Sequence, residues 1–382
     1  MNSNHPPRKP ANVPPPVVID TADALWQMTE QISQEPRIAV DTEANSMYAY
    51  REQVCLIQIS IPGVNYLVDP LALDDLDPLG PILCAPHIEK VFHAADYDQI
   101  ILKRDFDFDC HPIFDTMWAA RILGWPRVGL ANILESHYDV HPNKRYQRYN
   151  WGKRPLDAEA LTYAWMDSYY LLDLQDTQKD ELLRTGRWEE AREIFHYLCH
   201  TVHVPPEPTL DELFWRIKGV YDLHPHEQRV LYQLHLWREA QAERLDRPPT
   251  MVISNRRLIQ LARVRPRHKG ALADAGLSQR QIRRFGSSIL RALKRTPYPD
   301  PPPHEQNDRA PADVVNRYHT LKDWRKHVAA RRGVDSDVIL PNAVLWKIAW
   351  NVPQTLDELR ELAGIGPWRE AHYGPDILKL LR

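Results

Sequence analysis

The stretch Arg37-Ile38-Ala39-Val40-Asp41-Thr42-Glu43 sets a short apolar run against two carboxylates one residue apart. Ile38-Ala39-Val40, with a β-branched residue at each end and polar flanks, reads as a buried strand. Side chains alternate faces along a strand, so Asp41 and Glu43 point the same way. Two like charges side by side at the end of a buried strand repel and resist desolvation. Either the strand has ended and water solvates both, or a divalent cation offsets the cost. The pair alone does not choose.

The totals set bounds. A chain of 382 residues fits two or three domains, and 43% apolar residues with 12 Trp suffice for packed cores. Cys55, Cys84, Cys110 and Cys199 are scattered without a C-x-x-C, so neither a zinc site nor a disulfide framework is indicated, and reduced thiols are expected. The first ten residues lack the apolar core of a signal peptide, and no run approaches the roughly 18 apolar residues of a membrane span. A soluble, cytoplasmic protein without membrane contact is expected.

Residues 1–16 hold six prolines and read as a flexible, polyproline-like tail. Val17-Val18-Ile19 opens the ordered part, and Asp20-Thr21 offers a cap for an amphipathic helix to about Ser33. Val54–Ile61 is a strand of high β propensity, and Asn65–Val68 returns after the Pro62-Gly63 turn as its hairpin partner. Lys90-Val91-Phe92 is a short strand before a helix from Ala94 to Leu102. Helices follow over 117–123, capped by Asp115-Thr116, over 129–138, and from Asp157 through Leu172, with residues 144–155 as a polar loop. Strands first and helices interleaved later indicate an α/β domain on a mixed sheet, over residues 17–203.

Past the proline-rich break at 204–219 the periodicity is helical throughout, and the chain repeats itself. Trp237-Arg238 matches Trp324-Arg325 at an offset of 87, as do Asn255, Leu258, Ala262 and Pro266 with Asn342, Leu345, Ala349 and Pro353. Gly286 and Leu290 match Gly374 and Leu378 after a one-residue gap. Two all-α copies, 220–296 and 313–382, are therefore expected on either side of a stiff proline linker, 297–312. The overall net charge of −3 conceals an asymmetry. Residues 221–296 carry sixteen Lys and Arg against six Asp and Glu, whereas 313–382 carry eleven against nine. A one-sided excess of that size favours a polyanionic partner for the first copy.

Three features join Asp41 and Glu43. His93-Ala94-Ala95-Asp96-Tyr97-Asp98 opens a helix just after a strand end. Tyr163 and Asp167, spaced i and i+4, share one helix face. No His or Cys cluster accompanies the acids, so the oxygen donors suit Mg²⁺ or Mn²⁺ and not zinc. Four carboxylates supply the charge for two ions roughly 3.5–4 Å apart, as in phosphodiester cleavage.

The order of these motifs resembles that of the ribonuclease D family, in the exonuclease superfamily named for its Asp-Glu-Asp-Asp ligands. The resemblance runs through I-A-V-D-T-E (38–43), C-L-I-Q-I (55–59), H-x-x-x-x-D (93–98), F-D-T (114–116), the loop K-R-Y-Q-R-Y-N-W-G-K-R-P-L (144–156) and Y-A-W-M-D-S-Y-Y-L-L (163–172). The duplicated helical unit resembles the HRDC domain through W-R, N-x-x-L and a late G-x-x-x-L. The resemblance implies an RNase H-like exonuclease domain followed by two HRDC domains. It further implies that Asp41, Glu43, Asp98 and Asp167 hold two divalent ions and that Tyr163 orients or helps deprotonate the attacking water. The implied reaction is 3′-to-5′ release of nucleoside monophosphates from RNA 3′ ends, tRNA precursors included, by a monomer; the alternatives are an exonuclease acting mainly on DNA in repair and a non-catalytic nucleic-acid-binding protein with a vestigial site. Asn150 stands where the family often has Asp, which leaves that loop's hydrogen bonding open. Lys144, Gln147, Trp151 and Arg154 are candidates to flank the substrate, and Trp151 would either stack a base or anchor its loop. Gly364-Ile365-Gly366 resembles a phosphate-binding hairpin turn, or is simply a tight turn that holds no ligand.

Overall fold

A computed structural model describes residues 15–303, 310–362 and 364–382. All but the last two residues of the expected tail lie outside the described residues, as do residues 304–309 of the proline linker. The described residues form two compact units, one of 15–44, 54–204 and 310–382, the other of 45–53 and 205–303.

The first unit is built on a six-stranded sheet. Its strands are β1 (Val17–Ile19), β2 (Arg37–Ala44), β3 (Val54–Ile61), β4 (Val64–Val68), β5 (Glu89–Phe92) and β6 (Ile113–Asp115). Their spatial order is β1-β4-β3-β2-β5-β6. The β2-β3 and β3-β4 pairs are antiparallel and the others parallel, so the sheet is mixed, as the alternation of elements predicts. Strand β2 lies inside the sheet, and Ile38, Ala39 and Val40 are fully buried. The β2-β3 register shifts between Glu43 and Ala44, so regular pairing breaks at the second carboxylate.

Helices α1 (Ala22–Ile32), α2 (Gly80–Leu83), α3 (Ala95–Phe106), α4 (Thr116–Leu123), α5 (Leu130–Tyr138), α6 (Ala158–Tyr169), α7 (Leu171–Arg184) and α8 (Trp188–His200) complete the α/β domain. Thr21 caps α1 as its sequence position suggests, by accepting from the amide of Ala24. The helix expected from Asp157 to Leu172 is interrupted at Tyr170, which separates α6 from α7. Within the expected polar loop, Lys144–Arg148 closes a 3₁₀ turn.

The second unit contains α9 (Leu210–Trp215), α10 (Pro225–Arg244), α11 (Pro249–Val252), α12 (Asn255–Val264), α13 (Lys269–Asp274) and α14 (Gln279–Lys294). Helix α9 corrects the reading of 204–219 as a plain linker. Thr209 and Glu212 form a capping box there, and Phe214 and Ile217 are buried in the helical core. The carboxy-terminal repeat contains α15 (Ala312–Arg332), α16 (Ser336–Ile339), α17 (Asn342–Asn351), α18 (Leu356–Glu361) and α19 (Pro367–Leu381).

The repeated W-R and Asn have one structural cause. Arg238 donates to Asn255 Oδ1 at 2.6 Å and to the carbonyl of Ile253. Arg325 donates to Asn342 Oδ1 at 2.8 Å and to the carbonyl of Leu340 at 2.5 Å. In each copy a buried guanidinium thus joins the long first helix to the start of the third. The third helices also end alike, with Arg265 and Val352 both in the left-handed region at φ 46°.

The second repeat packs on helix α8 of the α/β domain. Glu190, 1% exposed, receives two bonds from Arg332, at 2.7 and 2.5 Å. Arg121 pairs with Asp337 at the same face, and Val338 joins the α/β domain's apolar core.

Candidate active site

Strand β2 brings Asp41 and Glu43 to its end, and α6 brings Asp167. One carboxylate oxygen of each lies within 4.8 Å of the others. Asp98, in the first turn of α3 and 6% exposed, stands just outside this group and accepts a short hydrogen bond from Thr42. None of the four has a cationic side chain paired to it among the described residues. Burial raises the pKa of Asp41 well above the carboxylate range, reinforced by the charges of Asp98, Asp167 and Glu43. Burial, with Asp167 and Asp98 facing it, does the same to Glu43. Asp98 and Asp167 are each pushed up by burial to about 7. The cluster is a concentration of unneutralised oxygen donors, and its chemistry fits a hard divalent cation.

Tyr163 is buried on α6, bonded to Asp167. Burial and the charges of Asp167, Glu43 and Asp41 raise its pKa above the ordinary 10. It is therefore a protonated phenol at neutral pH, able to orient a water or an oxyanion but not to act as a base.

Helix α3 has no capping side chain of its own, and the residue before it, Ala94, is held at φ 66°. The cap comes from the next strand. Asp115 accepts from the amides of Ala94 at 3.2 Å and Ala95 at 2.7 Å, and also from Met117 and Trp118 at the start of α4. One buried carboxylate thus fixes two helix starts, including that of the helix carrying Asp98. Thr116 donates to the carbonyl of Phe92 and lies 2.9 Å from His93 Nδ1. The F-D-T stretch is accounted for by these bonds, which sequence reading noted without assigning a role.

A cleft of about 320 Å³ opens over the acids, lined by Asp41, His93, Lys144, Gln147, Tyr163 and Asp167 among others. Lys144 and Gln147, both exposed, are thus brought to the acidic cluster. Trp151 and Arg154 are not. Trp151 is 1% exposed, with its ring centroid 5.1 Å from Tyr149 and 6.2 Å from Tyr163. It anchors the loop and backs the tyrosine, so the stacking alternative is set aside. Arg154 spends its guanidinium on Asp69, at 2.6 Å from each oxygen, and on the carbonyls of Trp151 and Cys55. An arginine so committed holds the loop to β3 and is not free to take a phosphate. Thr42 and His93 are the neighbours that sequence reading missed as site residues, although both stand inside the quoted motifs.

Residues 16–182 match a family described as 3′-5′ exonuclease, and residues 227–293 and 315–381 each match the HRDC domain. Ribonuclease D of Haemophilus influenzae is 30% identical over 280 residues, covering 73% of this chain and 70% of that protein. The exosome complex exonuclease RRP6 of Saccharomyces cerevisiae is 32% identical over 265 residues, but the chain spans only 36% of its length. The crystal structure of Escherichia coli RNase D, described as an exoribonuclease involved in structured RNA processing, superposes with a TM-score of 0.66 at 25% identity. That match covers 96% of this chain and 98% of that one. With its 3′-5′ exonuclease domain, its acidic cluster and its two HRDC domains, the chain belongs to the ribonuclease D family.

Proposed function

We propose that the chain is a 3′-5′ exoribonuclease that trims RNA 3′ ends, tRNA precursors and other structured RNAs among them, using two Mg²⁺ or Mn²⁺ ions. The observation that carries this reading is the close group of Asp41, Glu43 and Asp167 on a strand and a helix, with Asp98 beside it and no cationic side chain paired to them among the described residues. Bound divalent ions supply positive charge for the attacking and leaving oxygens of a phosphodiester. The protein's part is to hold that charge and to place the strand. Asp41, Glu43, Asp98 and Asp167 provide the oxygen donors, and their mutual repulsion stores an affinity for cations that their burial alone would oppose.

Tyr163 keeps its proton and hydrogen-bonds the attacking water, fixing its approach to phosphorus. Attack breaks the bond to the 3′ oxygen of the penultimate nucleotide, which takes a proton. The last nucleotide leaves as a 5′-monophosphate. Lys144 and Gln147, at the rim of the cleft, pair with phosphate and with polar edges of the terminal nucleotides. The enzyme acts as a monomer in this reading.

The test is digestion of RNA and DNA of matched sequence, each with a free 3′ hydroxyl or a 3′ phosphate, in Mg²⁺ and in Mn²⁺. Stepwise release of nucleoside 5′-monophosphates from the RNA 3′ hydroxyl end is expected. Internal cleavage, or digestion of DNA alone, would refute the reading.

A further inference from the structure

The two HRDC copies use the same face differently. In the second copy that face is covered. Glu193, from α8 of the α/β domain, sets its carboxylate at the start of α19 and accepts from the amides of Trp368 at 2.5 Å and Arg369 at 3.3 Å. A Cβ on Gly366 would fall 2.4 Å from the Glu193 carboxyl carbon, so a side chain there would obstruct that approach. Val338, beside this helix start, is fully buried. The hairpin turn at 364–366 therefore does hold an anion, but one supplied by the protein itself.

The repeat carries these positions into the first copy. The offset of 87 relates Arg247 to Val334 and Met251 to Val338. The offset of 88 at the last helix relates Ser278 to Gly366, Arg280 to Trp368, Arg284 to His372 and Phe285 to Tyr373. Val338 is 0% exposed, whereas its counterpart Met251 is 54% exposed. The same face is thus open, and it forms a cleft of about 420 Å³ lined by Arg247, Met251, Arg280, Arg284 and Phe285 among others. None of the three guanidinium groups is paired with a carboxylate among the described residues. Arg284 lies over the ring of Phe285, 5.2 Å from its centroid. Ser278 caps its helix by accepting from the amide of Gln281, the counterpart of Arg369, so that amide is already satisfied and anion binding in the first copy falls to its side chains. Where the second copy presents Val334, Trp368 and His372, the first presents three arginines.

We propose that this face of the first HRDC copy, which in the second copy is filled by Glu193, is an anion site whose three guanidinium groups grip the phosphodiester backbone of RNA. The identity of the ligand rests on the exoribonuclease reading, while the anion site itself rests on the open cleft and its three arginines. Three guanidinium groups exceed what one carboxylate needs and suit a polyanion. The exposed Met251 gives the cleft an apolar wall for a sugar or base. The second copy, its equivalent site filled, adds no RNA contact through this face.

The test uses the full chain carrying Asp98→Asn, so that RNA is bound without being cut. The affinity of an end-labelled RNA of about 20 nucleotides is followed by anisotropy over a range of salt. In the variant Arg247→Gln, Arg280→Gln, Arg284→Gln the slope of log K against log salt should shrink in magnitude by about 2, since each phosphate contact on a single strand contributes about 0.7. At about 0.1 M salt that is a loss of ~100-fold in affinity. The control variant Arg263→Gln, Arg291→Gln, Arg295→Gln removes the same charge from elsewhere on the domain and should lose much less. Unchanged affinity, or an equal loss in the control, would overturn the site. With Asp98 intact, an oligomer of about five nucleotides should be digested alike by the unaltered chain and the cleft variant. Digestion of that oligomer together with unaltered binding of the longer RNA overturns the cleft alone. Arginine-dependent binding without any digestion by the unaltered chain overturns the exonuclease reading and supports the cleft.

Discussion

Raising the pH should weaken the metal-free α/β domain and make Mg²⁺ more stabilising. Asp98 is pushed by burial from an ordinary 3.8 to about 7, and its folded form therefore holds a proton that the unfolded chain releases near pH 4. Between these values the folded state binds more protons, so stability falls as pH rises from about 4 to 7 and levels off above. Three units for one carboxylate correspond to about 4 kcal/mol, an upper figure because water entry relaxes the burial cost. Asp167 is raised in the same direction and shares the same field, so the two are counted together. A divalent ion takes the place of that proton. If one proton is displaced, the apparent affinity for Mg²⁺ improves about 100-fold between pH 5 and pH 8. By mass action that adds about 2.7 kcal/mol to the stabilisation by Mg²⁺. For a domain of this size the increment is about 5–10 °C in Tm. The assay is thermal unfolding with EDTA or excess Mg²⁺ at both pH values. Comparing the Mg²⁺-induced shifts cancels groups remote from the site, such as His235, whose pKa burial lowers to about 4. A Mg²⁺ shift that is equal at the two pH values, or larger at pH 5, would refute the reasoning.

Other consequences are open to the same kind of measurement. Arg332→Ala should strand the Glu190 carboxylate, 1% exposed, and cost about 3–5 kcal/mol in urea unfolding, with Glu190→Gln in the same chain recovering part of the loss. Tyr163→Phe should lower kcat about 10²-fold or more while leaving KM for RNA nearly unchanged, because only the orienting hydroxyl is lost. Asp115→Ala should remove the shared cap of α3 and α4, lowering stability by at least about 1–2 kcal/mol and weakening Mn²⁺ binding measured by calorimetry.

The parts of the fold legible in the sequence are those whose determinants are local. Strand β2 announces itself because its apolar run and both carboxylates are contiguous, and the bulge after Glu43 falls where the pattern ends. The repeat is legible because Arg238 and Arg325 each need the Asn that opens the third helix, so the pair is kept at a fixed spacing. Helix α9 carried a readable signal, T-L-D-E over 209–212, which the surrounding prolines obscured. Trp151 and Arg154 could not be placed from sequence, because a loop aromatic or arginine acts according to its tertiary neighbours. Here those neighbours are Tyr149, Tyr163 and Asp69. The bond from Thr42 to Asp98 and the seating of Glu193 at α19 join residues far apart in the chain, and nothing in their local pattern marks them.

The most direct test of the central reading is the rate of nucleotide release from an RNA 3′ end by Asp98→Asn, set against its RNA affinity. The four-acid site predicts hydrolysis reduced by about 10³-fold or more, with Kd for RNA within about twofold of the unaltered chain. Undiminished turnover by Asp98→Asn would contradict it.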